Sequence, residues 1–205
     1  MARIKTKTAY LCSACGDDFP KWNGQCPSCK EWGTLSEFKI SAKKNGRDHK
    51  PRETKSFKEV LTADSSERIP TGLLEADRVL GGGLLSGSLI LLGGSPGVGK
   101  STLALQICSG INRKALYISA EESEEQVALR ARRLNIKPDQ LFMSGENELD
   151  GIISHIDRIQ PDLVIVDSIQ TVMNSGLDSL PGSPSQIRDC GQRLLEVSKQ
   201  KNVTI

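Results

Sequence analysis

Long apolar runs are missing from this chain. None of its segments approaches the roughly 18 consecutive apolar residues that a membrane-crossing helix requires, so a helical membrane protein is excluded and no membrane partner is expected. The basic stretch Met1–Leu11 lacks the apolar centre of a secretory signal, and the expected compartment is the cytoplasm. A dominant charge is missing too. The formal net charge over 205 residues is only +2, with 25% charged and 37% hydrophobic residues, a composition that reads as globular with some polar linker. The small total conceals an asymmetry: residues up to Glu59 hold 13 Lys/Arg against 7 Asp/Glu, and the remainder 14 against 18. A basic front is compatible with a polyanionic partner, although such runs are commonly solvated linker. Between about Ile40 and Lys58 apolar residues nearly vanish, while Lys, Arg, Gly46 and Pro51 persist, as in a flexible tether.

What the chain does have is a phosphate-cradling signature. The apolar run Leu89–Leu92, expected to be a strand, leads into Gly93-Gly94-Ser95-Pro96-Gly97-Val98-Gly99-Lys100-Ser101-Thr102, and a helical pattern follows through Leu103, Ala104 and Ile107. Gly94, Gly99, Lys100 and Ser101 satisfy G-x-x-x-x-G-K-[ST]. Glycines let the backbone curl until successive N–H groups point at one anion, where a Cβ would block the approach. The helix beginning near Lys100 adds the positive end of its dipole. Residues 94–102 are therefore expected to hold a nucleoside triphosphate, with Lys100 on the β- and γ-phosphates and the Ser101 hydroxyl on Mg²⁺.

Four of the six cysteines stand in the front segment as Cys12-x-x-Cys15 and Cys26-x-x-Cys29. Paired knuckles at this spacing make a tetrahedral sulfur cage around one ion. So short a module cannot bury enough apolar area to fold alone, and metal binding supplies the missing free energy. Zn²⁺ is the expected ion, structural because protein fills all four positions; an iron–sulfur-tetrathiolate site, a redox pair and disulfides are the competing readings. Four thiolates with one Zn²⁺ carry −2, which weakens the attraction of the basic front for DNA. Trp22, Trp32 and Phe19 are expected to form the small core of this module. Cys108 and Cys190, isolated in helical patterns, read as small buried hydrophobes.

The approach to the phosphate loop runs Thr71-Gly72, then Asp77, Leu80-Gly81-Gly82-Gly83-Leu84 and Gly87. This T-G-x-x-x-x-D-x-x-L-G-G-G-L-x-x-G lead resembles RecA- and DnaB-type recombinases and helicases. Together with the four-cysteine module, the whole chain resembles the bacterial RadA (Sms) family of DNA repair ATPases, within the RecA-like superfamily. The fold this implies is α/β: a RecA-like P-loop core with a mostly parallel sheet, preceded by a small zinc ribbon. The expected organisation is 1–39 ribbon, 40–58 basic linker and 59–205 ATPase core.

Two carboxylates complete the expected constellation. Ala115-Leu116-Tyr117-Ile118-Ser119 is a buried-strand pattern ending at Ala120-Glu121-Glu122-Ser123, and ligands of open parallel sheets sit at the carboxyl ends of strands. The resemblance places the water-orienting glutamate at Glu121. Glu122 better fits the helix start, where Ser123 and Gln126 form a capping box and Arg132 and Arg133 lie near the end. Leu163-Val164-Ile165-Val166-Asp167 is a second buried strand, whose terminal aspartate is expected to hold Mg²⁺. Between the two strands lies a helical stripe of Ile152, Ile153, Ile156 and Ile159 stopped by Pro161, with His155 as a helix-surface residue. The resemblance makes Ser168-Ile169-Gln170-Thr171 a reporter of γ-phosphate loss and the Gly/Ser/Pro-rich segment 174–185 a DNA-facing loop; from composition alone, the latter is an ordinary surface loop. Gln186–Lys199 reads as an amphipathic helix with Ile187, Leu194 and Val197 inward.

Asn202–Ile205 begins what reads as another strand. The family continues with the rest of the core, a K-N-R-F-G motif and a Lon-protease-like domain, so the chain reads as an N-terminal part whose ATPase core is truncated and whose turnover alone is doubtful. The resemblance implies a DNA-dependent ATPase of recombinational repair, working on single-stranded or branched DNA as a homo-oligomer, a hexameric ring at full length, beside a RecA-type recombinase. A replicative-type helicase, and an ATP-switched recruitment module without turnover, are the alternatives.

Overall fold

The computed structural model describes residues 7–40, 54, 56–62, 68–136, 139–177 and 179–205. Most of the expected tether, residues 41–53 and 55, lies outside the described residues. The chain divides into two compact units, residues up to 65 and residues from 66 onward.

In the first unit, β1 (Lys7–Cys12), β2 (Asp18–Phe19) and β3 (Leu35–Ile40) form an antiparallel sheet in the order β2-β1-β3. Cys12 pairs with Leu35 and Lys7 with Ile40, while an isolated bridge joins Gln25 to Trp32. The two cysteine knuckles repeat one backbone device. Gly16 N–H donates to the Cys12 carbonyl and Lys30 N–H to that of Cys26, both at 2.9 Å. Each donor takes positive φ, 76° at Gly16 and 62° at Lys30; the first knuckle uses glycine for it and the second does not. The tryptophans are not the core. Trp22 is 61% and Trp32 73% exposed, and the buried cluster is Cys12, Cys26 and Leu35, with Tyr10, Phe19, Cys15 and Cys29 packed on it. Of the three expected aromatics only Phe19 turns inward, because the cage itself occupies the centre of so small a sheet. The unit also contains α1 (Phe57–Thr62), begun by reciprocal bonds between Ser56 and Glu59.

The second unit opens with β4 (Arg68–Ile69), α2 (Leu74–Val79) and β5 (Leu84–Leu85); β4 and β5 pair antiparallel. The spacing of the T-G-x-x-x-x-D lead has a local cause. Asp77 Oδ1 accepts from both the Thr71 N–H and the Thr71 hydroxyl at 2.8 Å, and Thr71 is fully buried. At the triple glycine, Arg68 donates to the carbonyls of Leu80 and Gly83. A Cβ at Gly83 would stand 2.5 Å from the Ile69 carbonyl oxygen, so only glycine permits that closure.

Then follow α3 (Lys100–Gly110), β6 (Ala115–Ser119), α4 (Glu124–Arg133), β7 (Leu141–Ser144), α5 (Leu149–Ile159), β8 (Leu163–Asp167) and α6 (Pro184–Lys201). The strands β7-β6-β8 are parallel, with Ala115 opposite both Leu141 and Leu163 and Ser119 opposite Asp167. Alternation along β6 divides the interior. Leu116 and Ile118 join Ile152 and Ile156 of α5 and Leu194 and Val197 of α6, whereas Ala115 and Tyr117 join Leu105 and Cys108 of α3 and Val127 of α4. Helices thus cover both faces of a parallel sheet, the α/β architecture the strand–helix alternation implies. Helix α4 carries the expected capping box of Ser123 and Gln126, and Cys108 and Cys190 are buried. His155 on α5 is half-buried, bonded to Ser144 and Arg158.

One expected element differs. Leu89–Leu92 has no regular strand structure, and Leu91 is 85% exposed. Ile90 N–H donates to the Ile205 carbonyl and Ile205 N–H to that of Ser88, while Thr204 bridges to Leu163. Residues 203–205 therefore lie between β8 and the approach to the phosphate loop. Beyond that contact no strand partner is described for Leu91 and Leu92, so the run forms no continuous ladder.

Candidate nucleotide and metal sites

Gly99, at φ 100°, is the N-cap of α3, and Gly97 sits at φ 77°. Both values are favourable only for glycine, so the loop meets the helix with its backbone curled, as the motif requires. Residues 93–99 are exposed. Lys100 folds back over them: its ammonium donates to the carbonyls of Gly94 at 2.8 Å and Ser95 at 3.0 Å. Two neutral carbonyls are a weak match for a full positive charge, and phosphate oxygens would outcompete them.

Lys100 and Ser101 line a cleft of about 370 Å³ that is also bordered by Asp167, Ser168 and Gln170. The lysine and hydroxyl at the head of α3 thus share a cleft with the aspartate that closes β8, although 65 residues separate Asp167 from Ser101. A hydroxyl and a carboxylate are hard oxygen donors, the set that Mg²⁺ prefers. Gly94 to Gly99 and Thr102 do not line this cleft.

Glu121 does not line it either, but is joined to it. The Ser168 hydroxyl, next to Asp167, donates to the Glu121 carboxylate. Glu122 is engaged elsewhere: its Oε1 is 2.5 Å from Arg130 Nη2 on α4. Its Oε2 and the Nη1 of Arg130 are buried without a hydrogen-bond partner. The two adjacent glutamates therefore have different environments, one exposed beside the cleft and one tied to its own helix.

Three contributors escaped the sequence reading. Tyr117 donates its hydroxyl to Asp167 Oδ2 at 2.5 Å from a side chain 1% exposed. Burial, followed by the hydrogen bond to Asp167 and the charge of that group, pushes the phenol well above its ordinary range. A lone polar residue inside an otherwise apolar strand was the available signal. Ser168 is the second: the sequence reading named it as part of Ser168–Thr171 but not as a partner of Glu121. The third is Gln186, 1% exposed in α6. Its Oε1 accepts from Asn174 N–H at 2.9 Å, and its Nε2 donates to the carbonyls of Asn174 and Ser179. Asn174 also donates to Asp189, and Ser175 N–H to Glu148. The base of the expected DNA-facing loop is thereby anchored to α6 and α5.

In the ribbon, the four sulfurs of Cys12, Cys15, Cys26 and Cys29 lie within 4.8 Å of one another. The Cys12–Cys29 and Cys15–Cys26 separations are both 3.6 Å. Four sulfurs at about 2.3 Å around one Zn²⁺ stand about 3.8 Å apart, so the spacing fits that ion. The electrostatics point the same way. Burial opposes the Cys12 thiolate, but the Thr34 hydroxyl and the N–H groups of Cys15 and Ala14 draw it down to about 6. The Asp17 N–H favours the Cys15 thiolate, yet burial and the neighbouring sulfurs push it up to about 12. One sulfur ionises at the expense of its neighbours, and only a bound cation lets all four do so together.

A family model described as an AAA domain matches residues 52–205, and one described as a rubredoxin metal binding domain matches residues 10–37. The chain is 42% identical over its full length to a protein named DNA repair protein RadA from Listeria monocytogenes, covering 46% of that relative. Proteins of the same name from Bacillus subtilis and Haemophilus influenzae are each 43% identical over 98% and 97% of this chain, which covers 46% and 45% of them. The chain thus spans about half the length of the curated relatives it matches. With a glycine-curled phosphate loop, a parallel sheet and a four-sulfur ribbon in one chain, it belongs to the AAA domain family and is similar throughout to the proteins named DNA repair protein RadA.

Proposed function

We propose that this chain is the nucleotide-binding and zinc-binding part of a DNA repair ATPase that works as a RecA-like motor on single-stranded DNA, processing and branch-migrating recombination intermediates. What carries the reading is one juxtaposition: Lys100, Ser101 and Asp167 border a single cleft. Residues 94–102 hold the triphosphate of ATP through backbone N–H groups, and Lys100 exchanges its two carbonyl contacts for phosphate oxygens. Ser101 and Asp167 hold Mg²⁺, which when bound neutralises charge on the phosphates. Glu121 orients the attacking water and accepts its proton. Ser168, bonded to Glu121 and adjacent to Asp167, links that base to the segment Ser168–Thr171, which passes on loss of the γ-phosphate. The loop 174–185 faces DNA.

Zn²⁺ sits on Cys12, Cys15, Cys26 and Cys29 and has a structural role. The organisation is a 1–39 ribbon, a 40–58 basic linker and a 59–205 ATPase core. The whole protein works in the cytoplasm as a homo-oligomer, a hexameric ring, with a RecA-type recombinase as its partner.

Steady-state ATP hydrolysis by the whole protein, with and without single-stranded DNA, tests this reading. Turnover should rise with DNA, and Glu121→Gln should keep ATP binding while lowering turnover at least about a hundredfold. Unchanged turnover in that variant reassigns the base, and a lack of DNA stimulation favours an ATP-switched recruitment module.

A further inference from the structure

We propose that Tyr117 is a positioning residue that holds Asp167 in the orientation from which it serves the metal; this rests on the reading of Asp167 as the metal-side carboxylate. The placement follows from the register of two parallel strands. Tyr117 lies opposite Ile165 and Ser119 opposite Asp167, so Asp167 is one step further along the same face as the phenol. That face is covered by α3, whose first residues, Lys100 and Ser101, border the same cleft as Asp167. The phenol spans the diagonal and donates to Asp167 Oδ2.

Two features make this contact more than packing. First, the hydroxyl lies on a side chain that is 1% exposed, so if Asp167 turned away the donor would be stranded out of reach of solvent. The bond therefore resists rotation of the carboxylate. Second, the bond joins two different strands, β6 and β8, so it ties the carboxylate to the strand beside its own rather than to its own backbone. Arg130, the nearby cation, is already engaged by Glu122 at 2.5 Å. The phenol occupies one carboxylate oxygen only, and outer partners of this kind typically change metal affinity or activity by 10–100-fold when removed, by about that range in other sites.

The test uses Tyr117→Phe, which keeps the ring and removes the donor, beside Asp167→Asn, both in the whole protein. The readouts are the Mg²⁺ concentration that half-saturates binding of a fluorescent ATP analogue, the same quantity for turnover, and nucleotide affinity without Mg²⁺. Tyr117→Phe is expected to raise the Mg²⁺ requirement about tenfold or more, to leave metal-free nucleotide affinity unchanged, and to recover turnover at high Mg²⁺. A merely structural role lowers thermal stability without changing the Mg²⁺ requirement, and that result overturns the proposal if Asp167→Asn does change it. If Asp167→Asn leaves the requirement unchanged, the metal-side reading of Asp167 fails and the proposal with it. Should Tyr117→Phe not fold, 3-fluorotyrosine placed at position 117 supplies the answer. Its fluorine resonance should move on addition of Mg²⁺ with nucleotide but not of nucleotide alone, and identical spectra overturn the inference.

Discussion

In the ribbon, the buried apolar positions described are Ala9, Cys12, Cys26 and Leu35, two of them metal-ligand candidates. Around β6 and β8 the corresponding set includes Leu116, Ile118, Ile152, Ile156, Val164 and Leu194, with Tyr117 and Leu105 on the other face of the sheet. The ribbon's interior centres on four sulfurs placed for directed bonds to one ion, whereas the second unit's rests on undirected burial spread over several helices. At about 25 cal/mol per Å² of apolar surface removed from water, four small side chains stabilise very little, whereas a two-faced sheet stabilises a domain. Evolutionary tolerance should differ accordingly. Loss of one sulfur weakens the whole centre, while a single apolar truncation leaves most of the interior in place.

Metal removal is the strongest way to break this comparison. A chelator should cost the ribbon the apparent binding free energy of a structural zinc site, about 10–16 kcal/mol, and Cys26→Ser, which leaves three thiolates, a part of it. Alkylation followed by mass spectrometry reads the result: four sulfurs should become reactive while Cys108 and Cys190 stay protected. Burial pushes the Cys108 thiol up to about 12 and the Cys190 thiol up to about 11, so both remain protonated and poorly nucleophilic at neutral pH. Reaction of all six on chelation would show that the two units do not differ in this way. Acid acts in the same direction as the chelator, because protons compete with the metal for thiolates and release it as pH falls.

Gln186→Ala probes a carboxamide buried in α6 of the second unit. It leaves the Asn174 N–H and the carbonyls of Asn174 and Ser179 without their partner. A loss of about 1–3 kcal/mol in urea unfolding is expected, with faster proteolysis between 174 and 183. An unchanged loop would mean that Asp189 and Glu148 anchor it unaided.

The smallest effect is expected at the tryptophans. Trp22→Ala and Trp32→Ala should each change stability by no more than about 0.5 kcal/mol and leave zinc in place, as exposed side chains do. Release of zinc from either variant, followed with a colorimetric chelator, would restore the indoles to the structural role that their residue type suggests.

Much of the local architecture was readable from residue type and spacing. The phosphate loop, the capping box at Ser123, the stripe on α5 and the pair of cysteine knuckles all arise from contacts within a few residues, and such contacts leave periodic or punctuated marks. Identity of a side chain says less about which way it faces. Trp22 and Trp32 have the composition of a core and stand in solvent, while Gln186 has the composition of a surface and is buried. In each case the outcome depends on what a distant segment already occupies: the four sulfurs in the ribbon, and the carbonyls of Asn174 and Ser179 beside α6.

The same division separates the two halves of the candidate site. Curvature at Gly97 and Gly99 and the order Lys100-Ser101 are properties of consecutive residues, so the sequence alone determined the cradle and its chemistry. Likewise the spacing of Cys12, Cys15, Cys26 and Cys29 determined a four-sulfur cage, because each knuckle is closed by a local backbone hydrogen bond. Only the tertiary structure decided that Asp167 shares a cleft with Ser101, that Ser168 reaches Glu121, and that Tyr117 bonds to Asp167. Those relations depend on the parallel register of β6 and β8 and on α3 packing over one face of the sheet. Pairing between strands far apart in the chain is settled by packing of the whole layer, and no single stretch of sequence records it.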